Sequence, residues 1–233
     1  MHQYGEEEDL TPEEHLEREW QLFQRIESGT TGHLYRTWET AQPVVVVGRS
    51  LSIADHVNQE ACRKDSVPIL RRFSGGGAVV LGPGCLNYAL GFSFVSCPGL
   101  IDVAASYRTI LGRLAETLSV AGLAIGGGTD LVLNGRKVSG NAQRRGRRAL
   151  IHHGTLLYAF DAGLAARYLK EPRRQPAYRA SRGHLEFIGN LPLSRNLLEA
   201  SVAGMERFKR VNAEPPSRGA LDFPANRPSS RSV

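Results

Sequence analysis

Cysteine is scarce in this chain of 233 residues, and its scarcity excludes two classes of stabilising site. The three cysteines, Cys62, Cys85 and Cys97, are odd in number and form no CxxC pair. Neither a disulfide framework nor a zinc site of the usual spacing is therefore indicated. This usage is typical of a reducing compartment, and the acidic start of the chain does not resemble a secretory signal. We predict a cytoplasmic protein.

Long apolar runs and the standard nucleotide-binding motifs are also missing. No run approaches the roughly 20 apolar residues that a membrane-spanning helix requires, so we predict no membrane partner. The P-loop pattern GxxxxGK[ST] does not occur. Gly75 and Gly77 begin a GxGxxG pattern, but Val80 stands where the third glycine should be. Both motifs are therefore excluded in their standard forms.

Lysine is rare, with four lysines against 25 arginines, and the formal net charge is +6. A basic balance suits nucleic acid, membrane surfaces or acidic proteins. No basic stripe interleaved with aromatic residues supports a nucleic-acid partner, so we predict none. The densest basic run, residues 144–148, suits an acidic protein domain, although a general arginine bias in composition would explain the excess equally well.

Length and composition allow one globular domain. The chain is 41% hydrophobic and 22% charged, which is typical of a protein with a sizeable core. The patterning continues to about Val211, and residues 212–233 are rich in proline, serine and arginine. We predict a single domain over residues 1–211 and a disordered tail over residues 212–233, without a C-terminal accessory domain.

Helix signals are clear at four places. Thr11-Pro12 is followed by acidic residues and then by apolar residues at helical spacing, which predicts an amphipathic helix. Asp102 can cap a second helix, which Gly122 is expected to end. Asp161 and Ser194 can cap two later helices.

Strand and hairpin signals outnumber strand-helix-strand units. Apolar runs predict strands over residues 44–47, 78–81 and 86–94. Asn134-Gly135 after an apolar run is a strong hairpin signal, and the basic turn at residues 144–148 predicts a second hairpin. We therefore predict an α+β fold with a mostly antiparallel sheet flanked by helices.

One glycine-rich block has the composition of an anion site, Arg71-Arg72-Phe73-Ser74-Gly75-Gly76-Gly77-Ala78-Val79. Glycines let backbone N–H groups approach a ligand, and the guanidinium groups supply charge and forked donors for phosphate or carboxylate. Without the flanking arginines and the later blocks, the three glycines would favour a tight turn or bulge between strands.

Two further blocks follow in order, Gly135-Arg136-Lys137-Val138-Ser139-Gly140-Asn141-Ala142-Gln143 and His152-His153-Gly154-Thr155-Leu156-Leu157. With the glycine block, they make the chain resemble the lipoate-protein ligase A group of the biotin/lipoate A/B protein ligase family over residues 35–193. The resemblance implies the catalytic fold of biotin and lipoate protein ligases, which is related to class II aminoacyl-tRNA synthetases.

The same resemblance implies a reaction and its partners. ATP, accompanied by Mg²⁺, would activate lipoate or octanoate as an acyl-adenylate. The acyl group would then pass to a lysine of an acidic lipoyl acceptor domain or an H-protein-like carrier, with the possible help of an accessory ligase subunit. We predict no dedicated metal site, because no carboxylate cluster forms a cage.

Lys137 is the catalytic residue that the resemblance implies, bridging a phosphate and the acyl carbonyl oxygen. Arg72 would bind the phosphates, Asp130 would orient Lys137, and His153 would shape the pocket. Adjacent strand residues face opposite sides, so His152 and His153 cannot both enter one site. The full set of predicted substrate- and ATP-binding residues is Arg72, Ser74, Gly75, Gly76, Gly77, Ala78, Val79, Val80, Asp130, Lys137, Ser139, Gly140, His153, Gly154 and Thr155.

The chain departs from the ligase pattern at Leu81-Gly82, where many ligases have His-Asp. A competing function is that of an ATP-independent octanoyl or lipoyl transferase that acts through a cysteine thioester. The segment in which related transferases keep that cysteine, residues 124–130, contains none, and Cys85 is the remaining candidate. The chain could also be one subunit of a split ligase, or a non-catalytic lipoyl-binding subunit.

Overall fold

A computed structural model describes residues 2–3, 10–29 and 34–205 of the chain. The predicted tail over residues 212–233 lies outside the described residues. Within the described ranges the chain forms ten strands and seven helices, and the predicted α+β class is confirmed. None of the helices described is both long enough and apolar enough to cross a bilayer.

The strands are β1 His2–Gln3, β2 Leu34–Trp38, β3 Val44–Val47, β4 Ile69–Arg71, β5 Ala78–Leu81, β6 Cys85–Ser93, β7 Ala124–Gly126, β8 Asp130–Leu133, β9 Arg136–Arg145 and β10 Ala149–Leu157. The helices are α1 Pro12–Glu27, α2 Ile53–His56, α3 Gln59–Lys64, α4 Val103–Leu118, α5 Ala162–Tyr168, α6 His184–Phe187 and α7 Arg195–Gly204. The larger sheet has the order β1-β2-β6-β10-β9-β8-β7, and the smaller one has the order β4-β3-β5. Only the β1–β2 and β3–β4 pairs are parallel, so the sheets are mostly antiparallel as predicted.

Most of the helices and turns that local sequence signals predict are present in the structure. Thr11 caps α1 in a capping box with Glu14. Asn134 and Gly135 both have positive φ, as the two-residue hairpin turn requires. The predicted end of the second helix at Gly122 is wrong, because α4 ends at Leu118 and Ser119 takes the left-handed conformation, with φ of 53°.

Alternation along β10 gives the larger sheet two buried faces. Leu150 and Leu156 belong to a core shared with α4 and α7. Ile151 belongs to a core shared with Phe23 and Ile26 of α1 on the other face. The smaller sheet packs a third core, built on residues 44–47. The larger sheet therefore lies between α1 on one face and α4 and α7 on the other.

The larger sheet divides in the middle, at a place that we call the fork. The first half of β9 pairs with β8, and its second half, residues 141–145, pairs with β10. Residues 155–157 of β10 pair with β6 alone. A later segment, residues 188–191, enters this gap: Gly189 N–H donates to Lys137 O at 2.9 Å, and Leu191 N–H donates to Leu157 O at 2.7 Å.

Candidate active site

A cavity with two lobes opens beside the fork. The first lobe has a volume of about 360 Å³ and the second lobe about 590 Å³. Eight residues line both lobes: Gly77, Ala78, Val79, Thr129, Asp130, Lys137, Gly140 and Thr155. Each of the other predicted residues lines one lobe, except Ser74 and Ser139, which are fully buried behind the cavity wall. The three sequence blocks therefore converge on one cavity.

Arg72 shapes the glycine loop, residues 72–77, from behind. Arg72 is 8% exposed, and its guanidinium donates to the carbonyl oxygens of Gly75 at 2.8 Å and Gly77 at 3.0 Å. Its Nε donates to Ser74 Oγ at 3.1 Å. Burial lowers the pKa of Arg72 to about 10, so the side chain keeps its charge at neutral pH. Predicted as a phosphate ligand, Arg72 makes its contacts in this structure with the loop itself.

The carbonyl groups that Arg72 binds determine where the loop amides point. The C=O and N–H of a trans peptide point in opposite directions, so the N–H of Gly76 points away from Arg72. Within the described part of the chain, the amides of Gly75, Gly76 and Gly77 have no acceptor. Gly76 has φ of +95°, which favours glycine. Amides arranged in this way suit an anionic ligand.

A buried chain of hydrogen bonds fixes the loop to the rest of the fold. Ser74 Oγ lies 2.6 Å from His153 Nε2, and His153 Nδ1 lies 2.5 Å from a carboxylate oxygen of Glu19 on α1. Trp38 Nε1 donates to the other Glu19 oxygen at 2.8 Å. We call Ser74, His153 and Glu19 the buried lock.

The buried lock has the connectivity of a nucleophile, a base and an orienting carboxylate. However, Ser74 is 0% exposed, and its hydroxyl oxygen also accepts from Arg72. A side chain enclosed on all sides cannot attack a bound substrate. The arrangement therefore acts as a support for the glycine loop.

His152 faces the opposite side of β10, as the alternation predicts. It is fully buried, and Gln143 Nε2 donates to its Nδ1 at 3.1 Å. Burial lowers the pKa of His152 to about 3, with a smaller contribution from neighbouring His153. His152 is therefore neutral at physiological pH and packs against Tyr107 and Tyr88.

Lys137 stands at the junction of the two lobes and is held by Asp130. Lys137 Nζ lies 2.9 Å from Asp130 Oδ1, and Tyr178 donates its hydroxyl proton to Asp130 Oδ2 at 2.6 Å. Burial and the Asp130 charge raise the pKa of Tyr178, so its phenol stays protonated. A Cβ at Gly140 would lie 2.8 Å from Lys137 Nζ, so the absent side chain makes room for the lysine. The predicted contact between Asp130 and Lys137 is present.

Asn141 positions the turn that carries Asp130. Its Nδ2 donates to Thr129 O at 2.8 Å and to Ser139 Oγ at 3.1 Å. A Cβ at Gly154 would overlap the Asn141 side chain, which explains why glycine follows His153. Ser139 contributes here from behind the cavity wall.

Glu19, Asn141 and Tyr178 are site residues that were not singled out from the sequence. The sequence did carry a signal for Glu19, because it lies four residues after His15 and three before Leu22, on the stripe of α1 that is buried. Leu16 and Trp20, two of the apolar residues at helical spacing that predicted α1, are only half-buried. A charged residue on a buried stripe requires a partner from elsewhere in the fold.

The second lobe carries three cationic side chains besides Lys137, namely Lys170, Arg174 and Arg179, together with His184, whose pKa is lowered by burial. Arg179 is nearly buried and pairs with Glu171, and Lys170 donates to Ala54 O at 2.7 Å. Arg174 makes no ion pair with any described residue. This lobe is therefore suited to an anionic ligand.

None of the three cysteines lines either lobe. Cys62, Cys85 and Cys97 are all buried, and Cys85 is 0% exposed. Burial, with a smaller effect of Glu39, raises the pKa of Cys85 well above its usual range. A thiol of this kind lacks the thiolate character of a nucleophile.

Among the described residues, no group of three His, Cys, Asp or Glu side chains is placed to hold a metal ion. The carboxylates of the first lobe, Glu19 and Asp130, already bind His153 and Lys137. Mg²⁺ as a companion of nucleotide phosphates stays a prediction.

Comparison with known proteins agrees with the three blocks. The model of the lipoyl protein ligase A/B catalytic domain matches residues 11–199. Lipoate-protein ligase A of Blochmanniella floridana is 32% identical over 160 residues, which are 66% of this chain and 44% of that protein. The chain spans less than half of the length of the curated relatives that it matches.

Two solved structures share the fold. The bi-partite lipoate protein ligase of Thermoplasma acidophilum, described with its E2 lipoyl domain, has a TM-score of 0.68 and 18% identity, covering 87% of this chain and 80% of that one. A lipoate-protein ligase A bound with ATP has a TM-score of 0.64 and 18% identity, covering 79% and 76%. The predicted ligase fold is confirmed, and the relation to class II synthetases stays a prediction. The chain belongs to the lipoyl protein ligase A/B catalytic domain family.

Proposed function

We propose that the chain activates lipoate or octanoate with ATP and transfers the acyl group to a protein lysine. In the first step, a carboxylate oxygen of the acid attacks the α-phosphorus of ATP, and pyrophosphate leaves. In the second step, the neutral amine of an acceptor lysine attacks the acyl carbonyl carbon, an amide bond forms, AMP leaves with the bonding electrons, and the nitrogen gives up one proton to solvent. The proposed acceptor is a lipoyl domain or an H-protein-like carrier.

The observation that carries this proposal is the place of Lys137 between the lobes. Activation brings an anionic carboxylate against an anionic phosphate, so a positive charge is needed where they meet. Lys137 lies at the junction, and Asp130 holds its ammonium group in place. The unpaired amides of Gly75 to Gly77 add donors on the facing wall.

The two lobes differ in a way that suits the two substrates. The first lobe includes the apolar side chains of Leu16, Trp38, Val46 and Leu81, which suit a medium-length acyl chain. The second lobe includes the cationic side chains that suit phosphate groups. Both volumes lie in the range of small-molecule sites, about 300–1,000 Å³.

The transferase function lacks a nucleophile in this geometry. It requires a thiolate in contact with the acyl group, and the three cysteines lie buried away from both lobes. Replacement of Cys85 by alanine should therefore leave acyl transfer within about threefold of the unmodified protein. Loss of transfer, with the fold intact by circular dichroism, would favour the thioester route.

Two measurements on the purified protein test the proposal. The protein is incubated with lipoate, MgCl₂ and an apo lipoyl domain, with and without ATP, and acyl-adenylate, pyrophosphate and modified domain are measured. We expect all three products only with ATP. A non-hydrolysable acyl-sulfamate analogue of the adenylate should also bind by calorimetry, even if activation needs a second polypeptide. Absence of both signals, or transfer from an acyl carrier without ATP, would contradict the proposal.

A further inference from the structure

We propose that an exposed face at the C-terminal end of β9, the end away from Lys137, binds an acidic protein domain that carries the acceptor lysine. The face consists of Val95, Ile101, Val103, Arg147 and Arg148, and we call it the 95–148 face. This inference rests on the proposed function, because it names the surface through which the same site receives its second substrate.

Apolar side chains are unusually exposed on this face. Val95 is 88% exposed, Ile101 60% and Val103 52%. Five large hydrophobic side chains in the described ranges are exposed to this degree, and these three lie within nine consecutive residues. Single exposed apolar residues are ordinary, whereas several of them in one short segment suit an interaction surface.

The 95–148 face is held rigidly by Arg145. The Arg145 guanidinium donates to Leu100 O and Ile101 O, both at 2.6 Å, and lies 5.1 Å from the centre of the Phe94 ring. Phe94 N–H donates to Arg148 O at 2.8 Å, which joins the apolar segment to the basic turn. A surface ordered in advance loses little conformational entropy when a partner binds.

The charge of the face selects the partner. Arg147 and Arg148 are exposed, and Glu27 binds their backbone N–H groups. No carboxylate among the described residues pairs with their side chains. An acidic domain with an apolar centre is the complementary partner.

Hydrogen bonds connect the face to the cavity. Arg145 Nη1 donates to Gln143 Oε1 at 2.8 Å, and Gln143 and Tyr107 line the first lobe. Eight residues of β9 separate Arg145 from Lys137, which is about 26 Å along a strand. A domain of about 100 residues has a radius of gyration near 13 Å and spans this distance. A partner on the face can therefore reach the cavity with its lysine.

Two double variants test the face separately for shape and for charge. V95S/I101S removes the apolar centre, and R147Q/R148Q removes the charge. The matched controls are L197S, a similarly exposed apolar residue on α7, and R63Q, an exposed arginine on α3. Each double variant should raise the KM for an apo lipoyl domain at least about fivefold, whereas the controls should stay within twofold. The effect of R147Q/R148Q should shrink between about 0.05 and 0.5 M salt.

Two further readouts separate docking from chemistry. Adenylate formation, and acylation of a short lysine peptide that is too small to reach the face, should be unchanged in both double variants. An unchanged domain KM, or an equal loss with the peptide, would overturn the inference. If the unmodified protein forms no adenylate, the proposed function fails, and an NMR titration of the apo domain against the same variants still decides the docking surface.

Discussion

The two walls of the cavity differ in how their polar groups are satisfied. On the glycine wall, Arg72, Ser74 and His153 are at most 8% exposed, and all three bind other groups of the protein. On the opposite wall, Lys137 is 28% exposed at its side chain, and Asp130 is its ion-pair partner. The first wall has a fixed shape, whereas the second presents a charge that a substrate can reach.

This difference separates effects on folding from effects on reaction. Loss of a group from the glycine wall leaves buried polar atoms without partners, which lowers the free energy of unfolding. Loss of the Lys137 side chain opens Asp130 to water from the cavity, and Tyr178 still donates to its carboxylate.

Replacement of Lys137 by alanine should give the largest effect and act on the reaction alone. We expect adenylate formation to fall at least about 100-fold, because a charge aimed at the developing negative charge is lost. The free energy of unfolding should change by less than about 1 kcal/mol. Lys64, an exposed lysine on α3, is the matched control. Retention of more than about a tenth of the activity would contradict the catalytic role of Lys137.

Replacement of His153 by alanine should act mainly on the fold. Glu19 is 2% exposed and would keep only the Trp38 donor, so we expect a loss of about 3 kcal/mol in the free energy of unfolding. Urea unfolding of the variant and of the unmodified protein measures this loss. Because both residues belong to the buried lock, the loss in H153A/E19Q should be smaller than the sum of the single losses. Additive losses would show that the two side chains do not act together.

Acid should weaken the fold through His152. Its pKa is about 3 in the folded protein, below the ordinary value of 6.5, so the unfolded chain binds more protons between these values. The contribution of His152 is therefore complete above pH 6.5 and falls as the pH drops towards 3. Lowering the pH from 7.5 to 5 should therefore reduce the free energy of unfolding by about 2 kcal/mol through His152.

His15 responds to acid in the same direction, since burial and Arg36 lower its pKa to about 4. Chemical unfolding at the two pH values should show a smaller loss in H152Q than in the unmodified protein. An identical loss in both would mean that His152 is not the group that titrates.

Alanine substitutions at two neighbouring glycines of the glycine wall should differ in their effect on stability. Gly76 has φ of +95°, and a Cβ there would lie 2.8 Å from Arg72 Nη2. We expect G76A to lose about 1–2 kcal/mol of stability. A Cβ at Gly75 would meet no atom within 4 Å, so G75A should change stability by less than about 0.5 kcal/mol. Equal melting temperatures for the two variants would contradict the strain at Gly76.

The sequence predicted the parts of this fold that depend on neighbours along the chain. The cap at Thr11, the turn at Asn134-Gly135 and the opposite directions of His152 and His153 each depend on a few adjacent residues. The end of α4 was missed because Ser119 takes a left-handed conformation that glycine would normally supply. The three blocks, which carry the family resemblance, contain most of the residues that line the first lobe, whereas most residues of the second lobe lie outside them.

The rest depends on contacts between distant parts of the chain. Glu19 meets His153 across 134 positions of sequence, and Tyr178 meets Asp130 across 48. Neither pairing follows from periodicity, because hydrophobic patterns indicate which face is buried and not which residue lies opposite. No strand was predicted over β2, which pairs with β6 in the larger sheet.

The fork has a consequence for the order in which the molecule is made. All strands of the larger sheet precede residue 158, so a chain synthesised as far as Phe187 already contains every one of its strand pairs. Residues 188–191, which join Lys137 of β9 to Leu157 of β10, arrive later. The residues that bridge the gap beside Lys137 are thus synthesised after all of the strands that they join.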